Sequence, residues 1–418
     1  MKNINELYNN LSEEQYYEKL NNYIKDGFII CESEFPYVKL VKNEVSIELN
    51  LNIKKPTKHE TLMPDYNNSL ISIIDGFKTN YNGNLIPTID KNIFDRQYKN
   101  TLILILDGLG KNILNEFATR YPNNFLSKNL YKYAHAIYPS TTACATTSIK
   151  SGLVPFETSW TGWSNYFREV GKEVVLFTGA DYYTDELSGI KASDVIPYKP
   201  YYDKLDVKGD FVEPDFTNKE YKFSDTLYRA LDKLNHGFQT LYIYDTEPDG
   251  MLHKLGTKND QIYSLLNSYS KQIESFYNKL PKDTLLIISA DHGHIDNINI
   301  KFYLDKYLYS LLKRRPTNDS RCLTFKVKDE FKREFEKYFK SLYSNIYDLY
   351  TKDEFINLGF VGTSANKGAR LDDFLADFVA VAKTNYTLCL KEKALNHVSN
   401  HAGITKEEML IPLIVLKK

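Results

Sequence analysis

A chain of 418 residues is too long for one ordinary hydrophobic core, so it predicts a large domain with insertions or two domains that share an interface. Hydrophobic residues make up 42% of the sequence and charged residues 26%, proportions that argue against an intrinsically disordered chain. The formal net charge of −1 provides no overall attraction to nucleic acid or to an anionic membrane, so we expect neither partner.

The first part of the chain, residues 1–95, is polar and mixed in pattern, and we interpret it as an extension that packs on a catalytic core. The alternation of apolar and polar residues from Val45 to Ile53 predicts a strand within it. The spacing of apolar residues from Asn68 to Phe77 predicts a short amphipathic helix.

From Asn100 onward, apolar runs of strand length alternate with helical patterns. The runs are Thr101–Leu106, Glu173–Phe177, Phe238–Tyr244 and Thr284–Ser289. Between the last two, apolar residues three and four apart from Ile262 to Leu280 predict a helix. Continuous apolar strands that alternate with helices are typical of an α/β fold, in which a mainly parallel sheet carries helices on both faces.

The pattern changes again over residues 301–396, which we predict to form a small α+β insertion. It contains predicted strands at Cys322–Val327 and Asp377–Lys383 and a charged helix at Lys328–Leu342. The run Met409–Leu416 predicts a strand that returns to the main sheet. The predicted catalytic core is therefore made of residues 96–300 and 397–418.

Acidic residues and histidines lie next to the predicted strand ends, where sheets of this kind collect their chemistry. These residues are Asp107, Asp249, His253, Asp291, His292 and His401. Asp249 and His253 are four residues apart, so in a helical turn both face one ion. Each residue alone has an ordinary explanation as a helix cap or a satisfied polar group. Three acids and three histidines at one sheet edge indicate a metal site, and ligands without thiolates favour Zn²⁺, with Mn²⁺ as the alternative.

A candidate nucleophile lies in the segment from Tyr138 to Gly152, where Pro139 is followed by serine and threonine residues. This order predicts the start of a helix, and a hydroxyl at a helix N-terminus suits a bound phosphate. Taken alone, the same residues could equally well serve only to cap the helix.

The ordered set of these motifs resembles the alkaline phosphatase superfamily, and within it the nucleotide pyrophosphatase/phosphodiesterase-type branch. The motifs are Asp107-Gly108, the helix with Thr142 that ends at Ser151-Gly152-Leu153, Glu247-Pro248-Asp249 with His253, Asp291-His292-Gly293, and His401. The resemblance implies an alkaline phosphatase-like fold and two zinc ions. One ion would be held by Asp249, His253 and His401, and the other by Asp107, Asp291 and His292. Thr142 would be the nucleophile, and its neighbour Thr141 is the second candidate.

We therefore predict a two-zinc hydrolase of phosphate esters, a phosphodiesterase or nucleotide pyrophosphatase that acts through a covalent phosphothreonine. A phosphomonoesterase or phosphonate hydrolase on the same site is the alternative among enzymes. A binding protein of this fold that has lost catalysis is the alternative from another class. The expected partner is a small phosphate ester, with a nucleotide as one option.

Residues Met1 to Gln15 lack the apolar segment of a secretory signal, and no run approaches the length of about 18 apolar residues that a membrane span needs. Four widely spaced cysteines without a CxxC pair argue against a disulfide framework and against a thiolate zinc site. These observations predict a cytoplasmic protein.

Overall fold

The computed structural model describes residues 4–83 and 89–418. At its centre is a six-stranded sheet, which confirms the predicted α/β class. In order across the sheet, its strands are Leu130–His135, Leu410–Lys417, Thr284–Ser289, Asn100–Leu106, Thr240–Asp245 and Gly209–Val212. The last four pair in parallel, and the C-terminal strand Leu410–Lys417 is antiparallel to both of its neighbours.

The three central strands, Asn100–Leu106, Thr240–Asp245 and Thr284–Ser289, are buried along their whole length. Helices cover both faces of these strands, so their sequences are continuous apolar runs rather than alternating ones. Ile105 pairs with Tyr244 on one side and with Ser289 on the other, so the three strands end at the same level. The residues that follow them therefore meet at one edge.

The longest helix, Asp260–Lys279, shows how the sequence forms the covering layers. The Asn259 side chain accepts a hydrogen bond from the Gln261 N–H and caps the first turn. Ile262, Leu266, Tyr269, Ile273 and Phe276 lie three or four residues apart and are buried on one face. This helix contacts Phe223–Asn235, Lys111–Arg120 and Phe125–Lys128.

A second group of helices contains Leu70–Asn82, which contacts Thr142–Ser151. Gly152 ends the latter helix with φ 64°, a left-handed conformation that glycine adopts without strain. Shorter helices of the core are Pro155–Thr158, Ala192–Val195, Asp249–Leu255 and Lys406–Met409. None of the helices in the described ranges combines the length and apolar character needed to cross a bilayer.

Two further four-stranded sheets lie outside the main sheet. The N-terminal sheet consists of Ile4–Leu11, Val45–Leu51, Tyr37–Lys42 and Ile29–Glu34, with the helix Glu13–Lys25. The insertion sheet consists of Thr317–Asp319, Cys322–Phe325, Phe378–Ala382 and Tyr347–Thr351, with the helices Lys306–Leu311, Lys332–Tyr343, Lys352–Asn357 and Leu371–Leu375. Both sheets contribute to one apolar cluster, in which Tyr16 and Leu20 are buried together with Phe302 and Tyr343. The helix Leu70–Asn82 instead packs on the core of the main sheet. The predicted domain bounds stay a prediction.

One predicted strand of the main sheet is wrong. Residues Lys172–Val175 form a two-stranded antiparallel hairpin with Ser164–Phe167, apart from the main sheet. The apolar run at Glu173–Phe177 is short, and Phe177 is 47% exposed, so it is not buried as a central strand would be. The edge position is taken by Gly209–Val212, whose sequence Gly-Asp-Phe-Val has no apolar run.

Two small strand pairs complete the fold: Ile295–Asp296 with Ser399–Asn400, and Ile298–Ile300 with Tyr386–Leu388.

A fully buried ion pair ties the insertion to the segment before the C-terminal strand. The Arg321 guanidinium donates two hydrogen bonds to Glu408, of 2.6 and 2.8 Å, and one each to the carbonyl oxygens of Thr384 and Tyr386. Glu408 also accepts from the Gly403 N–H at 2.7 Å. Removing the arginine would leave a buried carboxylate without its charge partner, which is far more costly than the loss of an exposed pair.

We expect Arg321→Met to lower the free energy of unfolding by about 3–5 kcal/mol. A matched control is Arg96→Met, because the Arg96–Asp283 pair has side chains that are 51% and 43% exposed, and such exposed pairs contribute about 1 kcal/mol or less. Urea unfolding followed by circular dichroism measures both variants. Equal effects of the two substitutions would contradict a structural role for the buried pair.

Candidate active site

The first candidate metal group lies beyond the ends of two adjacent central strands. Asp107 follows Asn100–Leu106, and Asp291 and His292 follow Thr284–Ser289. The Nε2 atom of His292 is 3.3 Å from Asp107 Oδ1 and 3.6 Å from Asp291 Oδ2. Two ligands of one tetrahedral zinc ion are roughly 3.4 Å apart when each lies about 2.1 Å from the metal. The spacing of these atoms therefore fits a shared ion.

The unpaired atoms of this group point to the same conclusion. Asp107 Oδ1 and Asp291 Oδ2 are buried and have no hydrogen-bond partner among the described residues. Burial raises the pKa of Asp107 well above its ordinary value, and the neighbouring carboxylates of Asp291 and Asp249 raise it further. Burial also raises the pKa of Asp291. Buried carboxylates that face one another need a cation to remain ionised, and a divalent metal would supply it.

The second candidate group is built around Asp249, at the start of the helix Asp249–Leu255. Asp249 Oδ1 is 3.3 Å from His253 Nε2, one helical turn on, and 3.8 Å from His401 Nε2. His253 Nδ1 lies 2.8 Å from the Ser399 carbonyl oxygen, and His401 Nδ1 lies 3.0 Å from that of Ser140. A carbonyl can only accept, so both Nδ1 atoms donate, and each Nε2 lone pair is left free for a cation.

Thr142 faces the first group from the N-terminus of the helix Thr142–Ser151. Its hydroxyl oxygen lies 3.3 Å from Asp107 Oδ2 and 3.3 Å from His292 Nε2. Thr141 occupies the N-cap position but makes no side-chain cap hydrogen bond, and its hydroxyl instead contacts Asp319 Oδ1 at 3.4 Å. The two adjacent threonines therefore point to different partners, and only the Thr142 hydroxyl contacts predicted metal ligands.

A cavity of about 440 Å³ connects these residues to the insertion. Thr142, Asp249, His253 and His401 line one part of it. Other lining residues come from the insertion, including Asn318, Asp319, Lys391 and Lys393, and from residues 163–185 of the core, including Trp163 and Tyr182. Burial raises the pKa of Asp319 to about 6. The cavity is large enough for a small ester next to the Thr142 hydroxyl.

The structure thus brings all six predicted ligands and Thr142 to one edge of the main sheet. It adds His294, which is not among the six predicted ligands: its Nε2 atom is 2.6 Å from Asp249 Oδ1. It also adds Tyr244, whose hydroxyl donates to Asp107 Oδ2. The repeated histidine in Asp291-His292-Gly293-His294 is the one sequence signal that could have indicated His294.

A mainly parallel sheet with this constellation of carboxylates and histidines beyond its strand ends defines a hydrolase of alkaline phosphatase-like fold. The family model of type I phosphodiesterases and nucleotide pyrophosphatases matches residues 101–404. The chain belongs to this family and is an enzyme of the phosphodiesterase and pyrophosphatase class. A search of curated protein sequences finds no significant match.

Solved structures share the fold at low sequence identity. Murine ectonucleotide pyrophosphatase/phosphodiesterase 5 has a TM-score of 0.56 and 14% identity, over 76% of this chain and 88% of that one. The human enzyme of the same name gives a TM-score of 0.58, also at 14% identity over 76% and 88% of the two chains. Phosphonoacetate hydrolase from Sinorhizobium meliloti gives 0.52 at 16% identity, over 78% of this chain and 92% of that one. A further structure holds the murine enzyme as an inactive variant, with a threonine replaced by alanine, in complex with AMP.

Proposed function

We propose that the protein is a two-metal phosphodiesterase or nucleotide pyrophosphatase in which Thr142 is the nucleophile and Zn²⁺ the preferred metal. The observation that carries the proposal is the position of the Thr142 hydroxyl, 3.3 Å from both Asp107 Oδ2 and His292 Nε2. A hydroxyl this close to the Asp107 carboxylate and to His292 Nε2 can share an ion that these two residues hold. Mn²⁺ is the alternative metal for ligands of this type.

Two divalent ions, when bound, lower the pKa of the nucleophilic hydroxyl and neutralise charge on the attacking and leaving oxygens. Asp107, Asp291 and His292 would hold one ion, and Asp249, His253 and His401 the other. Asp107, Asp291, His292 and His401 are buried, which favours one fixed geometry for these ligands. The carbonyl oxygens of Ser399 and Ser140 orient two of the histidines, so their tautomers suit metal binding before any substrate arrives.

In the reaction that we propose, the Thr142 oxygen attacks phosphorus and loses its proton to solvent. The bond from phosphorus to the leaving oxygen breaks, and the leaving group departs either as a phosphate or, after its oxygen takes a proton from solvent, as an alcohol. Water then attacks the phosphothreonine and releases Thr142 together with the phosphate product. The free N–H groups in the first turn of the helix Thr142–Ser151 would donate to the phosphoryl oxygens.

The AMP complex of the murine relative supports a nucleotide-like substrate for this chain, and its inactive threonine-to-alanine variant supports a threonine nucleophile. The structural similarity to phosphonoacetate hydrolase supports phosphonate hydrolysis as the alternative reaction at the same site. A binding protein without catalysis is disfavoured, because all six predicted ligands and the Thr142 hydroxyl are present and close together.

A substrate screen tests the preference for diesters. A monoester dianion carries an extra negative charge, and enzymes specialised for it tend to add a cation near the phosphorus. Ala143, Cys144 and Ala145 after Thr142 are neutral, and no arginine is among the described residues that line the cavity. The two lysines of its lining, Lys391 and Lys393, pair with Asp185 at 3.2 and 2.9 Å.

We therefore expect bis(4-nitrophenyl) phosphate to be hydrolysed with a higher kcat/KM than 4-nitrophenyl phosphate. Release of 4-nitrophenolate measures both substrates in one assay. A preference of tenfold or more for the monoester, a difference of about 1.4 kcal/mol in transition-state binding, would favour a phosphomonoesterase instead.

A further inference from the structure

His294 is fully buried between the two candidate metal groups and belongs to neither predicted ligand set. Its Nε2 atom lies 2.6 Å from Asp249 Oδ1, and its Nδ1 atom lies 2.9 Å from the Ser399 hydroxyl oxygen. Both ring nitrogens therefore have a partner within the protein. A histidine held at both ends is either an additional metal ligand or a group that orients another ligand.

The distances decide between these two roles. Two ligands of one tetrahedral zinc ion are roughly 3.4 Å apart, as follows from bonds of about 2.1 Å. The separation of 3.3 Å between His253 Nε2 and Asp249 Oδ1 fits that value. The separation of 2.6 Å between His294 Nε2 and the same oxygen is too short for two ligands, and it is the length of a short, charge-assisted hydrogen bond. A carboxylate has no proton to give, so the His294 Nε2–H donates to Asp249.

Ser399 completes the arrangement, because two of its atoms hold two different histidines. Its hydroxyl meets His294 Nδ1, and its carbonyl oxygen accepts from His253 Nδ1 at 2.8 Å. Ser399 is fully buried in the strand Ser399–Asn400, which pairs with Ile295–Asp296 directly after His294. The backbone pairing therefore fixes the distance between Ser399 and the His294 ring.

The chain also leaves space for this ring. A Cβ atom at Gly108 would lie 2.9 Å from His294 Cδ2 and 3.2 Å from the Asp249 Cα. Any larger residue after Asp107 would therefore displace the His294 ring or the Asp249 backbone beside it. Gly108 also has φ 73°, which favours glycine independently of the space.

We propose that Ser399 and His294 form a hydrogen-bonded relay that holds the Asp249 carboxylate in the orientation that binds the second metal ion. His294 and Ser399 are positioning residues in this proposal, which rests on the proposed two-metal site. The relay fixes one carboxylate oxygen of Asp249. The same serine, through its backbone, fixes His253 in the same ligand set.

Metal affinity of purified full-length protein, measured by competition with a chromogenic chelator, tests the relay without reference to catalysis. We expect His294→Phe to weaken one of the two zinc sites by about 10–100-fold, the usual effect of losing an orienting partner, and to leave the other site unchanged. His294→Gln should restore most of the affinity, because its amide N–H₂ can donate to Asp249 in place of Nε2. Ser399→Ala should weaken the same site, and Ser399→Thr, which keeps the hydroxyl, should not.

The control is Ser270→Ala, which removes another buried hydroxyl. This hydroxyl accepts a hydrogen bond of 2.9 Å from the Phe125 N–H, which is not part of either ligand set. The substitution should lower stability without changing either zinc affinity. Two results would contradict the relay. If His294→Gln binds zinc as weakly as His294→Phe, His294 is a metal ligand. If His294→Phe and Ser399→Ala leave both zinc affinities unchanged, neither residue positions Asp249. If His294→Phe does not fold, the two Ser399 variants decide the question. A further outcome is a wild type that binds two zinc ions with affinities that depend on His294 and Ser399, and yet hydrolyses no ester. That result would contradict the proposed function and would still support the relay.

Discussion

Replacement of Thr142 by alanine is expected to lower kcat by a factor on the order of 10⁴–10⁶, the scale on which enzymes respond to the loss of a nucleophile. This corresponds to about 5–8 kcal/mol of activation free energy. Among the described residues, the Thr142 hydroxyl makes hydrogen bonds to Asp107 and His292, both of them predicted metal ligands. The variant should therefore fold and keep its metal content, which elemental analysis measures alongside turnover of a chromogenic diester.

Thr141→Ala is the matched control, because it removes the same atoms from the adjacent residue. Within the described ranges, its hydroxyl donates a hydrogen bond of 3.4 Å to Asp319, so its loss should cost about 1 kcal/mol of stability and little activity. Thr142→Ser, which keeps the nucleophilic oxygen, should retain much more turnover than Thr142→Ala. If Thr141→Ala were the inactive variant and Thr142→Ala the active one, the nucleophile would be Thr141.

Much of the main sheet could be predicted from sequence, because a strand that is buried on both faces is recognisable as a continuous run of apolar residues. Asn100–Leu106 and Thr284–Ser289 are buried on both faces, so each is a mainly apolar run that ends one or two residues before an acidic residue. Parallel pairing in register then places Asp107 and Asp291 at the same edge. The spacing of Asp249 and His253 needed only one helical turn to bring the two side chains together.

The elements that could not be predicted lack such a recognisable pattern in their own sequence. Gly209–Val212 is a sheet-edge strand of four residues with one charged and one glycine residue, and its place depends on pairing with Thr240–Ile243. The apolar run at Glu173–Phe177 resembles a central strand, but it pairs locally, since Ser164–Phe167 lies only a short loop away. The N-terminal sheet depends on packing against the insertion, which lies about 300 residues later in the chain, as the Tyr17–Tyr343 hydrogen bond shows with a separation of 326 residues.

The same limit applies to the site. Asp319 reaches Thr141 across a separation of 178 residues, and no local pattern in the insertion indicates that contact. His294 lies beside two predicted ligands in sequence, but its function depends on Ser399, 105 residues further on. Sequence motifs could predict which carboxylates and histidines come together in the candidate site, whereas the residues that hydrogen-bond to them required the fold.

Removal of metal is the second change with a large expected effect. Dialysis against a chelator should abolish activity and lower the melting temperature, and Zn²⁺ should restore both. Without an ion, Asp107, Asp291 and Asp249 bring three carboxyl groups together in a buried site, where burial and mutual repulsion raise the pKa of Asp107 and Asp291. An ion present at about 1,000 times its dissociation constant stabilises the folded state by about 4 kcal/mol.

Asp291→Asn provides the control, because it removes one charge from the group while keeping the shape of the side chain. The variant should bind metal weakly and lose activity. In the metal-free state it should melt at or above the temperature of metal-free wild type, since less repulsion remains in the buried site. Melting curves with and without Zn²⁺ measure both effects, and titration with Mn²⁺ in parallel compares the two metals. Full activity in a preparation shown by elemental analysis to be free of metal would rule out a two-metal mechanism. If metal-free Asp291→Asn is less stable than metal-free wild type, repulsion between the buried carboxylates is not the destabilising effect that the ions remove.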